Sequence, residues 1–263
     1  MTSASETART TGESAGVYLY GIVPADVEVD EHARGVGPPG AVTVIRHGDI
    51  AALVSELDPG RAPGTPQDRE AHERLLDATA AEVPVLPIRF GTVVSGSEAV
   101  VEELLAPYHD EFARALGEFE GRVTYVIECR YVERALTDDV VAGHPELAEL
   151  SGRIGDRPTR LRIGEIVNEA VSARREADGR ELVAAVGPVC VLTAPRPPAH
   201  ARDGAMLAVL VDAGRTDELE KAVSGLAERW ADRVEVRLRG PLAPYDFMES
   251  PSRDGPSPIG PPA

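Results

Sequence analysis

Few side chains in this sequence stand where they could do chemistry. His72-Glu73 opens like the His-Glu-x-x-His signature of a zinc hydrolase, but the residue four places after His72 is Leu76. A single imidazole cannot assemble the three protein ligands a catalytic zinc requires, so His72 reads as a polar contact or cap on a helix surface. His47 falls in a hairpin turn, and His32, His144 and His200 fall in loops, none with a partner at ligand spacing. Glu102-Glu103 and Asp110-Glu111 have the chemistry of general acid–base pairs. In so acidic a chain such pairs arise by chance, and both read as solvated helix faces. There is no Gly-x-Gly-x-x-Gly turn, phosphate loop or Gly-x-Ser-x-Gly elbow. Cys129 and Cys190 have neither metal-ligand spacing nor a disulfide framework, and within apolar strands a thiol behaves as a small hydrophobe. No catalytic residue, metal or cofactor is expected, and the chain does not read as an enzyme.

Two other segments carry more information. Val85-Leu86-Pro87-Ile88-Arg89-Phe90-Gly91-Thr92 combines strand-forming residues with rigid punctuation. Proline cannot donate to a ladder, so Val85 to Val94 is expected to be an edge or bulged strand. Leu86, Ile88, Arg89 and Phe90 are its candidate interface residues. Arg89 has two readings of equal weight: a surface ion pair, or a contact residue of the type enriched with aromatics at interface cores. Near the other end, Gly240-Pro241-Leu242-Ala243-Pro244-Tyr245-Asp246-Phe247 follows the last predicted strand. Pro241 and Pro244 imply an extended turn that lays Tyr245 and Phe247 onto a surface. The favoured reading is a latch over apolar side chains of its own domain, with reach to dock across the two domains.

Periodicity supplies the frame. Val17 to Val23 is a dense β run, and Val42 to Arg46 with Ile50 to Glu56 flank a tight turn at His47-Gly48-Asp49. A helix is predicted from Asp68 to Glu82, ended by Val83-Pro84. Val101, Leu104, Leu105, Tyr108, Phe112, Leu116 and Phe119 repeat at helical spacing, and Pro107 splits them into two pieces, sitting in the first turn of the second. Beyond residue 121 the expected order is strand Val123 to Val132, a polar connection from Thr137 to Gly155, helix Leu161 to Ala177, and strands Leu182 to Leu192 and Ala205 to Asp212. A helix capped by Thr216 and an alternating strand Arg233 to Arg239 complete it. This β-α-β-β-α-β string is that of a ferredoxin-like unit with antiparallel order 4-1-3-2. That order puts a strand between Cys129 and Cys190, too far apart for a disulfide.

The predicted fold class is therefore α+β in two domains: an N-terminal α/β layer over 17–120 and a ferredoxin-like domain over 121–240. A disordered lead-in (1–16) precedes them, and the latch with a disordered tail (241–263) follows. The formal charge is −17, of which residues 1–120 carry −13. Such a field repels phosphate backbones and anionic lipid, so neither nucleic acid nor membrane is an expected partner. No apolar run approaches the roughly 18 residues of a membrane span, and the N-terminus has no signal-peptide pattern. A reducing cytoplasm suits the cysteine usage.

Val17–Val23, His72-Glu73-Arg74, Val85–Thr92 and Gly240–Phe247 together resemble the gas vesicle protein L/F family (GvpL/GvpF), in the family's order and across the chain from about residue 17 to 248. The resemblance departs from the pattern at Leu242-Ala243, where an aromatic and a second proline often stand, and offers no motif for 137–155. It implies two α+β domains, the second ferredoxin-like, and a cytoplasmic role in building gas vesicles, which are walled by a small, very apolar shell protein. Family members are regarded as minor components or assembly factors that touch that shell protein, along with other gas vesicle proteins. The physics agrees: an apolar wall subunit aggregates unless covered, and a strongly acidic partner offering a strand edge could cover and disperse it. Two competing classes remain, an enzyme on a ferredoxin-like scaffold and a small-ligand regulatory module. A deep polar pocket would favour the first, and ligand-induced thermal stabilisation the second.

Overall fold

The computed structural model describes residues 16–248 apart from 59 and 153. The lead-in before Gly16 and the tail from Ser250 lie outside the described residues. Two compact units divide the chain, residues 1–120 and 121–263.

In the first unit β1 (Val17–Pro24) is the inner strand, buried from Val17 to Val23. Its run of Val, Tyr, Leu and Ile suits a position covered on both faces. β2 (Thr43–His47) and β3 (Ile50–Glu56) form the expected hairpin around a two-residue turn, His47 pairing Ile50. α1 (Pro66–Ala80) follows, started by a capping box between Thr65 and Asp68 with proline at its first position. The predicted strand Val85 to Val94 is not continuous. It forms β4 (Leu86–Pro87) and β5 (Val93–Val94), both antiparallel to β1, with a turn between them. The main path is β2-β3-β1-β4, so β4 is terminal, where a residue lacking an N–H is tolerated. The helical stripe after it forms α2 (Ser97–Ala99), a π-helical segment Val100–Leu105 and α3 (His109–Phe119). Pro107 sits just before α3, not in its first turn.

In the second unit β6 (Arg122–Tyr131) turns Ile127, Cys129 and Tyr131 into the core, as its alternation predicts. The supposed polar connection is instead helical: α4 (Glu133–Gly143) and α5 (Glu146–Ser151). Val140 and Leu147 bury against Ile166 and Val171 in a small core of their own. α6 (Arg157–Val186) is 30 residues long, about 45 Å. Asp156 caps it by accepting from the Thr159 amide at 2.9 Å. It runs through Leu182 to Val186, which were expected in a strand, because Asp178, Leu182 and Val186 continue the buried stripe at i+4. Gly187-Pro188 ends it in a 3₁₀ turn, so Cys190 lies ahead of β7 (Leu192–Arg196) rather than inside a strand. Both cysteines are free.

β8 (Asp203–Asp212), α7 (Thr216–Arg229) and β9 (Val234–Leu242) complete the unit. Thr216 does not cap α7. Its hydroxyl donates to the Ala213 carbonyl from the helix's first position, and Arg215 stands at the cap. Leu219, Val223, Leu226 and Trp230 are buried as the stripe predicts. The sheet runs β7-β8-β6-β9, antiparallel throughout, with β8 between β7 and β6.

Candidate functional site

The connection between β4 and β5 carries three of the four residues singled out from the sequence, Ile88, Arg89 and Phe90. Leu86 and Ile88 are each 2% exposed and cannot meet a partner without unfolding their surroundings. Arg89 is exposed and Phe90 half-buried. The main chain is anchored on both sides of them: the Ile88 amide donates to Tyr20 carbonyl at 2.8 Å, and the Leu19 amide donates to Thr92 carbonyl at 3.0 Å. Between these ties the Thr92 hydroxyl closes the turn on the Arg89 carbonyl at 2.8 Å. Gly91 sits at φ +91°, a region that penalises any Cβ. β1 approaches so closely at Gly21 that a Cβ there would lie 2.9 Å from the Leu86 carbonyl oxygen.

Beneath the turn lies a buried aromatic and polar cluster. Tyr18 and Tyr20, two residues apart on β1, point to one face with ring centroids 4.8 Å apart. His72 comes in from α1. It is fully buried, not on the helix surface, because it falls on the stripe with Asp68, Leu75 and Leu76. The Tyr18 hydroxyl lies 2.9 Å from His72 Nδ1 and accepts from the Gly91 amide at 3.1 Å. His72 also bonds the Ile88 backbone carbonyl. That bond needs an imidazole N–H, which leaves Nδ1 to accept the Tyr18 proton. The relay thus runs from the Gly91 amide through Tyr18 and His72 to Ile88, tying both ends of the Arg89–Phe90 projection to the core.

Burial sets the protonation states. It pushes the Tyr18 phenol up to about 12 and drives His72 down to about 4, Arg69 adding to the latter while the Ile88 bond opposes it. Both groups are neutral at pH 7. They hold shape and have no proton to exchange near that pH. Tyr20 donates to Ser55 Oγ at 2.9 Å, which in turn donates to Ala41 carbonyl at 2.7 Å. The Phe90 ring stands 5.6 Å from that of His72, and the Arg69 guanidinium lies over its outer face, 4.5 Å from the centroid. Neither Tyr18, Tyr20 nor Arg69 was singled out from the sequence. The tyrosines' i, i+2 spacing in the opening strand was the one available signal.

The C-terminal candidates lie in the second unit. Pro241 belongs to β9, which extends further than expected, while Pro244 is buried. Tyr245 is 41% exposed and Phe247 half-buried. Asp246 Oδ1 meets Arg196 Nε of β7 at 3.2 Å. Because β7 and β9 are opposite edges of one sheet, the segment crosses that sheet. Arg196 pairs with Met206, which shares the face opposite Leu207 and Val209 of the helix-packed core. The same helix-free face holds an open cavity of about 280 Å3 lined by Glu128, Arg130, Asp203, Met206 and Arg239, among others. Its charges answer one another, Arg239 meeting Glu128 at 2.9 Å and Arg130 meeting Asp203 at 3.8 Å.

Among the described residues no group of three His, Cys, Asp or Glu side chains could hold a metal ion, and no helix is long and apolar enough to cross a membrane. A family model described as gas vesicle synthesis protein GvpL/GvpF matches residues 16–249. The chain belongs to this family. Gas vesicle protein F of Streptomyces sp. (strain CB03234) is 30% identical over 242 residues, covering 88% of this chain and 99% of the relative. Gas vesicle protein L of the same strain is 28% identical, covering 88% and 91%. The crystal structure of GvpF from Anabaena sp. PCC7120 shares the fold, with a TM-score of 0.73 at 21% identity over 90% of this chain and 99% of that one. Within this chain Val85–Thr92 are a strand end and a turn clamped from below by the tyrosine–histidine relay.

Proposed function

We propose that this GvpL/GvpF member serves gas vesicle formation by binding the small apolar shell protein through the β4 edge and the turn that follows it. One observation carries the reading: Arg89 stands exposed beside the half-buried Phe90 on a turn tied to the buried strand β1 and packed on Tyr18 and His72. Rigid presentation of an arginine and an aromatic lowers the entropy lost on docking, and these two residue types dominate interface energetics. Leu86 and Ile88 act from beneath as the floor that fixes the turn. The strongly acidic first unit keeps the complex dispersed.

The second unit is read as ferredoxin-like, supported by its order β7-β8-β6-β9 and by α6 and α7 on one sheet face. Pro241 to Phe247 act as its latch, supported by the Arg196–Asp246 tie. On this reading the protein works in the cytoplasm at the vesicle and performs no bond-making step. The test is co-purification with the shell protein from vesicle-forming cells, using R89E and F90A chains whose circular dichroism and melting match wild type. Loss of the shell protein from both is expected. Unchanged recovery by either folded variant would end the proposal.

A further inference from the structure

The first unit is acidic, and its basic side chains are nearly all spoken for. Arg34 and Arg46 donate to main-chain carbonyls, Arg61 to Asp68, and Arg74 and Arg114 pair with Glu70 and Glu118 one helical turn away. Among the described residues of this unit two guanidiniums are left without an oxygen partner, Arg69 and Arg89. Phe90 links them: Arg69 lies over its ring, 4.5 Å from the centroid, and Arg89 is exposed one residue before it in the turn. Arg69 has Glu73 at i+4 and forms no ion pair with it; the cation stands N-terminal to the carboxylate there, the less favourable order, whereas Glu70 and Arg74 pair in the favourable one. The ring holds the guanidinium instead, with its N–H edges free to donate.

We infer that Arg69, Phe90 and Arg89 form a docking surface for an acidic polypeptide segment, whose carboxylates pair with the two guanidiniums while an apolar side chain packs on Phe90. The inference rests on the binding surface proposed above and names the chemistry it accepts. Charge complementarity argues for it. The rest of the acidic unit repels such a segment, so these two arginines set where it lands and in what register. Each guanidinium offers a planar fork that matches a carboxylate, and Phe90 supplies the apolar contact that bare anions lack.

The experiment uses the full chain and a labelled 12-residue peptide of interspersed Glu and Leu, its Glu→Gln counterpart, and fluorescence anisotropy. The Glu peptide should bind about tenfold more tightly than the Gln peptide, an advantage that disappears in the R69E/R89E chain and shrinks as salt is raised. F90A should weaken both peptides. R74E, which removes an exposed arginine of the same helix, should change nothing. Equal binding of the two peptides, or an R74E loss as large as that of R69E/R89E, would overturn the inference. The underlying surface fails separately. If shell-protein capture is lost in F90A yet persists in R69Q/R89Q and at high salt, the surface stands and its acidic partner does not.

Discussion

The Tyr18 hydroxyl meets His72 Nδ1 at 2.9 Å across 54 residues of chain, and the same hydroxyl accepts from the Gly91 amide of the β4–β5 turn at 3.1 Å. Removing that hydroxyl takes this partner from the buried His72 ring nitrogen and from the Gly91 amide of the turn. Tyr18→Phe changes little volume, so the expected loss is that of the hydrogen bonds, about 1–3 kcal/mol of unfolding free energy. Urea denaturation with an unchanged m-value would measure it. A loss below about 0.5 kcal/mol would mean that the turn does not depend on the relay.

Stability should fall on mild acidification because of His72. Its folded pKa is depressed to about 4 from 6.5, so above pH 6.5 both states are neutral and its contribution is complete. Between those values the unfolded chain takes up the proton and the folded one does not, costing roughly 3 kcal/mol by pH 4. His109 acts with the opposite sign. It lies between Asp110, at 2.9 Å, and Asp49, at 2.7 Å, and these raise its pKa. Its contribution is full below 6.5 and fades as pH rises through the folded value. Chemical denaturation from pH 4 to 8 of wild type, H72Q and H109Q separates them. H72Q should flatten the acid side and H109Q the neutral side.

Two glycines in open surroundings should respond oppositely to alanine. Nothing lies within 4 Å of a Cβ built at Gly91 or Gly117, so neither substitution clashes. Gly91 sits at φ +91°, where an L side chain costs about 1–2 kcal/mol. Gly117 is inside α3, where alanine gains about 0.5–1 kcal/mol. Melting temperatures should move down for G91A and up for G117A. A shift of the same sign for both would contradict this account.

Periodic elements were legible in the sequence, and assembled ones were not. The β2–β3 hairpin, the α7 stripe from Leu219 to Trp230 and the alternation of Val234, Val236 and Leu238 each rest on local repeats that the packed structure reproduces. Leu182 to Val186 misled because a short apolar run does not distinguish strand from buried helix. Only the continuity with Asp178 and Val171 along α6 decides it. α4 and α5 went unseen because each buries a single side chain to that degree, Val140 and Leu147, too little for a stripe. The site depended most on tertiary context. Residues 18, 20, 72 and 90 meet only through β1, α1 and the turn, and Arg69 acquires its role solely by lying over Phe90.

Asp178 should be the costliest single truncation in the second unit. It is 4% exposed on α6, accepts the Tyr131 hydroxyl at 2.8 Å and is held by the Arg233 guanidinium at 2.9 and 3.0 Å. Asp178→Ala strands a half-buried arginine and a buried phenol together, for which about 3–5 kcal/mol is expected. Asp178→Asn keeps an acceptor and should lose less. Equal losses for the two, measured by denaturant unfolding, would show that a neutral acceptor recovers nothing and that the loss is that of the charge.

The C-terminal segment is not the extended turn its prolines imply, which makes the Arg196–Asp246 pair testable. β9 and β7 are separated by β6 and β8, so the span is about 14 Å. After Leu242 the chain folds into a 3₁₀ turn over Tyr245–Phe247, the Tyr245 amide donating to the Ala243 carbonyl at 2.9 Å and the Phe247 amide to the Pro244 carbonyl at 3.0 Å. The Arg196 side chain, reaching out from β7, meets Asp246 at 3.2 Å and so closes the rest of the span. Asp246→Arg should release the segment and raise amide exchange over 243–248, with a stability loss of only about 0.5–1 kcal/mol because both side chains are partly exposed. Arg196→Asp should do the same. The double swap Arg196→Asp with Asp246→Arg should restore protection, since the pair geometry survives the exchange of charges. Exchange as slow in either single variant as in wild type would show that the prolines, and not the ion pair, hold the crossing.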